Sequence, residues 1–327
     1  MAGAAAGGTT LGEKAGLKMG QATRDAFGDS LRDLGDEFPE VVVVDGDVGN
    51  STRTEVFAKK YPDRSFNVGI AESNMVGVAG GLAATGKTAV TASFACFLMN
   101  NAFDQIRMSV AFPQLNVKLV GTHAGISIGE DGPSQMGIED VGLACSLPGV
   151  TVVVPSDAAS TKAATRAMLE HVGPVYLRLG RPKVPAIYGD ACKDFRFGKA
   201  ITVRDGRDVT IIANGLMVGA ALDAAKDLEA DGIDARVLDM HTVKPVDREA
   251  VVKAAQETGA IVIAEEHLHH GGLGSVVAQV VSETHPVRMA YVDVGDTYAE
   301  SGDPEGLLQK YGLTAENIVA AVKSLAK

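Results

Sequence analysis

Tryptophan is absent from this chain of 327 residues, and aromatic side chains make up only 5% of it. Any aromatic pair placed close together therefore stands out. Cysteine is scarce too, since Cys96, Cys145 and Cys192 are widely spaced, leave one thiol over in any disulfide scheme, and form no C-x-x-C knuckle. They read as reduced thiols. Basic residues are outnumbered, with 30 Lys and Arg against 41 Asp and Glu and a formal net charge of -11, and no stretch gathers them. Nucleic acid is not an expected partner. Long apolar runs are missing as well: VTIIANGLMVGAAL is broken by Asn and Gly and falls short of the roughly 20 residues that span a bilayer. No membrane partner is expected. The opening MAGAAAGGTTLGEKAGLKMG has no basic start followed by an apolar block, so residues 1–18 read as a flexible Ala/Gly arm on a cytoplasmic protein.

From Val41 onward, short β-branched runs alternate with small-residue stretches of helical period, the pattern of a parallel sheet covered by helices on both faces. Strands are expected at Val41–Val44, Phe66–Val68, Thr88–Ala92, Val117–Gly121, Thr151–Val154 and Val175–Arg178. Pro182, Pro185, Gly189 and Gly198 then interrupt any regular element, so Arg181 to Asp208 reads as a linker. A second, smaller unit follows, with strands near Val209–Ala213, Ala235–Leu238, Ile261–Ala264 and Arg288–Val292. Its helices are expected near Val218–Asp231, Arg248–Thr258, Ser275–Glu283 and Ala315–Ala326. The fold class is α/β with two parallel-sheet domains, residues 19–190 and 191–327. Such sheets bind ligands beyond their C-terminal strand ends, which directs attention to DGDVGNST, GIAESN, SFACF, GTHAGISIGEDGPSQ and RLGRP.

Glu72, in NVGIAESNMVGVAGG, opens a helix, where the dipole alone favours a carboxylate. The Gly/Ala-rich helix behind it implies close approach of another helix and a partly desolvated group, the kind that can share a proton with a ring nitrogen. Phe94 and Phe97 in SFACF are either core residues or the walls of a flat slot for a heteroaromatic ring. The long loop between Gly121 and Gly137 brings His123, Glu130, Asp131, Ser134 and Gln135 to one strand end. It is a solvated turn or, given that convergence, a site for a polyhydroxylated ligand. HLHHGG, from His267, reads as a surface or interface loop and not a metal tract. GGLGS lacks the G-x-G-x-x-G spacing of a dinucleotide loop.

The strings VVVVDGDVGNST, NVGIAESNMVGVAGGLAATG, SFACF with AFDQIRMS, GTHAGISIGEDGPSQMGIEDVGLA, VVVPSDA and RLGRP occur in the order found in the C-terminal half of transketolases. VLDMHTVKPVD and AEEHLHHGGLGS are similar to that family's last domain, and the resemblance runs from Met19 to the C-terminus. It implies a thiamine-diphosphate pyrimidine-binding domain followed by a smaller transketolase C-terminal domain. The implied reaction moves a two-carbon ketol unit from a ketose phosphate to an aldose phosphate, with a divalent cation, Mg2+ or Ca2+, beside the cofactor. On this resemblance Glu72 contacts the aminopyrimidine ring nitrogen and promotes its imino tautomer, and His123 is the second catalytic residue. Phe94 and Phe97 line the pyrimidine slot, with Asp47 close to the cofactor. His123, Asp131 and Gln135 contact sugar hydroxyls, and Ser51 and Arg181 hold the substrate phosphate.

Two departures from the family qualify the resemblance. The diphosphate and metal motif, G-D-G followed by Asn, belongs to a preceding domain and does not occur here; Asp45-Gly46-Asp47 is only a look-alike. The chain is therefore expected to be half an enzyme, completed by a separate N-terminal-half subunit that carries the metal ligands, as a heterotetramer with a homodimeric core. FLMNNAFDQ also places Asn100 and Asn101 where an Arg is often found, which bears on the acceptor sugar. Competing expectations are a β subunit of a 2-oxo acid dehydrogenase, a relative of deoxyxylulose-phosphate synthase, and a non-catalytic interaction subunit.

Overall fold

Four consecutive valines before Asp45 suit a strand covered on both faces, and all five residues of Val41–Asp45 are buried. In the computed structural model, which describes residues 10–325, this strand is next to the edge strand of a seven-stranded sheet. In chain order the strands are β1 (Met19–Ala22), β2 (Val41–Asp45), β3 (Ser65–Asn67), β4 (Thr88–Phe94), β5 (Val117–Thr122), β6 (Thr151–Val153), β7 (Val175–Arg178) and β8 (Lys183–Pro185). They continue as β9 (Ile201–Arg204), β10 (Val209–Ala213), β11 (Ala235–Asp239), β12 (Thr242–Lys244), β13 (Ala260–Ala264) and β14 (Arg288–Val292). The large sheet runs β12-β6-β7-β5-β4-β2-β3, and the second domain's sheet runs β14-β13-β10-β11-β9. Both are parallel except at one edge, where β12 and β9 run antiparallel to their neighbours.

The expected strands all form, within a residue or two of their anticipated ends. Ala326, at the end of the last expected helix, lies outside the described residues, as do residues 1–9 of the arm. The rest of the arm does not hang loose. Asp223 accepts from the backbone N–H of Gly12 and Ala15, at 2.6 and 2.8 Å, and Lys14 pairs with Asp227 and Glu316. The stretch expected to be an irregular linker also holds β8 and β9, and Asp157 straps it down by accepting from the N–H of Ile187 and Tyr188.

The two domains are joined by more than that segment. β12 leaves the second domain and adds to the free side of β6, and its last residue, Lys244, donates to the carbonyls of Cys145 and Leu147. Asp239, fully withdrawn from water at this junction, accepts from Ser156 Oγ at 2.6 Å and Tyr188 OH at 2.7 Å. Burial pushes its carboxyl up to about 7.

The Glu72–Ala84 helix shows why its sequence is so rich in Gly and Ala. A Cβ on Gly80 would come within 2.6 Å of the Ser109 carbonyl oxygen, so only glycine permits this approach. The end of the same helix spells a phosphate-loop pattern, Gly81 to Thr88, with G-x-x-x-x-G-K-T spacing. There a helix ends and β4 begins, the reverse of the strand-loop-helix order a phosphate cradle needs. Among the described residues, no helix is long and apolar enough to cross a membrane.

Candidate functional site

Every residue assigned to cofactor or substrate from the sequence ends a strand of the large sheet or follows the C-terminal end of one. Asp47 and Ser51 follow β2, Glu72 follows β3, Phe94 ends β4 and Phe97 follows it, His123 follows β5, and Arg181 follows β7. The chain reverses direction across the sheet between β3 and β4, which places the rim at a topological switch point. Backbone strain marks the same rim. Among the described residues four non-glycine positions have positive φ, and three of them, Asp47, Arg53 and His123, lie here. Such conformations persist where surrounding structure imposes them, which is the habit of functional sites.

Glu72 is 8% exposed, and among the described residues its carboxylate has no hydrogen-bond partner. A buried carboxylate left unpaired in its own chain is costly and calls for a partner from elsewhere. Ser73, the next residue, donates its hydroxyl to the carbonyl of Asn101 at 2.7 Å. Asn101 ends the π-helical turn that begins at Phe97, so the first turn of the Glu72 helix is tied to the segment that carries Phe97. Phe94 and Phe97 lie nearly parallel, with ring centroids 5.8 Å apart and an interplanar angle of 13°. An unpaired acid and flat apolar faces brought to one rim fit an aromatic ring carrying a basic nitrogen at its edge.

His123 is 2% exposed and stacks on Phe94 with centroids 3.9 Å apart. Its Nε2 lies 2.7 Å from Arg24 Nη1, which can only donate, so Nε2 accepts. The proton is then on Nδ1, which donates to Thr122 Oγ1 at 2.8 Å. Burial, with repulsion from Arg24, Arg181 and Arg53, pushes the imidazole down to about 2. His123 is neutral, with both nitrogens engaged, and contact with a sugar hydroxyl requires Arg24 to yield its bond.

Arg24 is the residue that the sequence reading missed. It also donates to the Ser51 carbonyl at 3.2 Å, its Nε is buried without a hydrogen bond and has only Asp25 at 3.9 Å, and burial lowers its proton affinity. It sits in the first turn of the Thr23–Leu34 helix, where the dipole disfavours a cation. That misfit was the available signal. Together with Arg53, held by Asp25 at 2.6 Å, and Arg181, it makes a positive rim. Arg181 Nη1 donates to the Ile128 carbonyl at 2.6 Å and to Glu130 at 3.2 Å, with Asp131 at 3.9 Å. Asp131 is exposed and Gln135 half-buried on the same loop, and the Gln135 carbonyl accepts from Cys96 Sγ. Ser51 is half-buried. Asp47 accepts from Asn67 and lines a cleft of about 420 Å³ beside β2 and β3.

His267, from the HLHHGG segment, is buried at the domain junction. It accepts from the Gly142 N–H at Nε2 and donates from Nδ1 to the Leu268 carbonyl. Among the described residues, no group of three or more His, Cys, Asp or Glu side chains is arranged to hold a metal ion.

Residues 19–186 match the transketolase pyrimidine-binding domain, and residues 198–318 match the transketolase C-terminal domain. The 6-deoxy-6-sulfo-D-fructose transketolase subunit SqwH of Clostridium sp. (strain MSTE9) is 43% identical over 305 residues, covering 93% of this chain and 94% of that one. Transketolase-like protein 2 of Mus musculus is 42% identical over 306 residues, which are 92% of this chain and 48% of the mouse protein. A solved structure of a split gene transketolase, an inactive beta4 tetramer, is 48% identical and superposes with a TM-score of 0.86 over 94% of this chain and 98% of its own. This chain belongs to the transketolase family and carries its pyrimidine-binding and C-terminal domains.

Proposed function

We propose that this chain is the second subunit of a split transketolase, which transfers a two-carbon ketol unit between a ketose phosphate and an aldose phosphate. The observation that carries the reading is the buried Glu72 carboxylate, unpartnered among the described residues, on the same strand-end rim as the parallel rings of Phe94 and Phe97. It occurs in a chain that matches split subunits over nearly their whole length and a single-chain relative over about half. When bound, thiamine diphosphate supplies the electron sink for breaking and remaking the carbon–carbon bond. Glu72 would hold a proton at the edge nitrogen of the aminopyrimidine, Phe94 and Phe97 would line the slot for that ring, and Asp47 would stand near the cofactor. Arg24, Arg181 and Ser51 would receive the substrate anion, and His123, Asp131 and Gln135 would meet its hydroxyls. The diphosphate and its Mg2+ or Ca2+ would be held by a separate N-terminal-half subunit in a cytoplasmic hetero-oligomer, a heterotetramer built on a homodimer of this chain.

The test is reconstitution. The purified chain should show no ketol transfer, and adding the diphosphate-binding subunit, thiamine diphosphate and magnesium should restore it. Robust turnover by this chain alone would overturn the division of labour.

A further inference from the structure

The loop from Ala124 to Gln135 is built of two short 3₁₀ turns, Ile126–Ile128 and Pro133–Gln135, and is held to its own domain at Ala124, Ile128 and Gln135. Three of its glycines, Gly125, Gly129 and Gly132, have positive φ, and each faces the second domain. A Cβ on Gly125 would collide with the Glu266 carboxylate, one on Gly132 with Ser301 Oγ, and one on Gly129 would meet Pro304 Cγ at 2.8 Å. One face of the loop is therefore moulded on the second domain. Glu266 makes the polar part of that contact. It is 4% exposed and accepts from the Ser127 N–H at 2.6 Å. Its backbone carbonyl accepts from Arg178 Nη2 at 2.9 Å, and the same nitrogen donates to the Gly137 carbonyl at 3.0 Å. Arg178 is itself held by Asp140 at 2.8 Å. One residue of the second domain thus grips the middle of the loop with its side chain and, through Arg178, its far end with its backbone.

We propose that Glu266 is a positioning residue that fixes the Ala124–Gln135 loop through the Ser127 amide, so that the second domain sets how tightly substrate is bound. The inference rests on the reading above, in which His123, Asp131 and Gln135 meet the substrate. None of the residues assigned there to cofactor or substrate lies in the second domain, so this is a role for that domain that its own side chains do not perform by contact.

The experiment compares wild type, Glu266→Ala and Glu266→Gln by two readouts. Amide hydrogen exchange on the full chain should show residues 124–135 opening faster in E266A, with strand β10 as an unchanged reference, and near-normal protection in E266Q, which keeps an acceptor. In the enzyme reconstituted with the diphosphate-binding subunit, thiamine diphosphate and magnesium, E266A should raise KM for a ketose phosphate about tenfold, the scale of one charge-assisted hydrogen bond. Its kcat should stay within about threefold, and E266Q should restore KM. If E266A does not fold, Glu266→Asp, which draws the carboxylate back one methylene from Ser127, carries the same two readouts. Unchanged exchange across the loop would overturn the role of Glu266 and leave the proposed function standing. A loosened loop with unchanged KM would overturn the link to substrate and count against the loop as a substrate element. No turnover by reconstituted wild type would sink the proposed function, and the substrate half of this inference with it.

Discussion

Glu72 is the side chain on which the cofactor slot stands or falls. Glu72→Gln should leave the fold intact, because among the described residues the carboxylate has no partner to lose. It should lower turnover of the reconstituted enzyme by about 10²- to 10⁴-fold, since an amide can bond a ring nitrogen without stabilising its protonation. Turnover within threefold of wild type, with cofactor bound, would return Glu72 to a mere helix-terminal acid. On the substrate side, Arg24→Ala should raise KM for phosphorylated ketoses a few tens-fold, about 2 kcal/mol, and spare unphosphorylated hydroxypyruvate. Arg181→Ala should do the same more weakly, because Glu130 and the Ile128 carbonyl already share its charge. Equal losses on the two donors would remove both arginines from an anion site. Legibility differed between these residues for a physical reason. Glu72, Phe94 and Phe97 could be read because acid, aromatics and glycine-rich helix are neighbours in sequence, whereas Arg24 reaches His123 across 99 positions. Glu266 was invisible for the same reason, since nothing in AEEHLHHGG announces which of two adjacent acids turns toward another domain's loop.

Elements, more than single residues, explain the glycines. Gly80→Ala should destabilise the chain by about 1–3 kcal/mol, as overpacking does, because backbone at Ser109 has to shift. Gly77→Ala in the same helix meets nothing within 4 Å and should be neutral or slightly stabilising through helix propensity. Thermal unfolding of the two variants side by side checks the pair, and equal melting temperatures would remove the close approach as the reason for the composition. The close approach itself was legible from the Gly/Ala run. The π-helical turns at Phe97–Asn101 and Arg107–Ala111 were not, because they differ from an α-helix by one hydrogen-bond step that leaves no composition signature.

At the scale of the whole molecule, two α/β layers could be read from the alternation of strand and helix, but the way they are knitted could not. β12 is three residues long and pairs with a strand far back in the chain, so no local pattern marks it. Its neighbour Asp239 supplies a test of that junction. Burial keeps its proton on in the folded chain up to about pH 7, while the unfolded chain releases it near the ordinary 3.8. The folded state therefore binds the extra proton between those values and loses stability as pH rises through them, a deficit that persists above pH 7. Asp239→Asn escapes that deficit, so its melting temperature relative to wild type should be higher at pH 8 than at pH 5. A difference that does not change with pH would mean that Asp239 ionises as freely in the fold as out of it. The same crossing strand bears on how such proteins can be recombined. A hybrid joined at the linker, with its first part from one parent and its second from another, would import a foreign edge into the first parent's large sheet. A workable exchange would have to carry β6 and β12 from a single parent, so the unit of inheritance in this fold is the sheet and not the segment of chain.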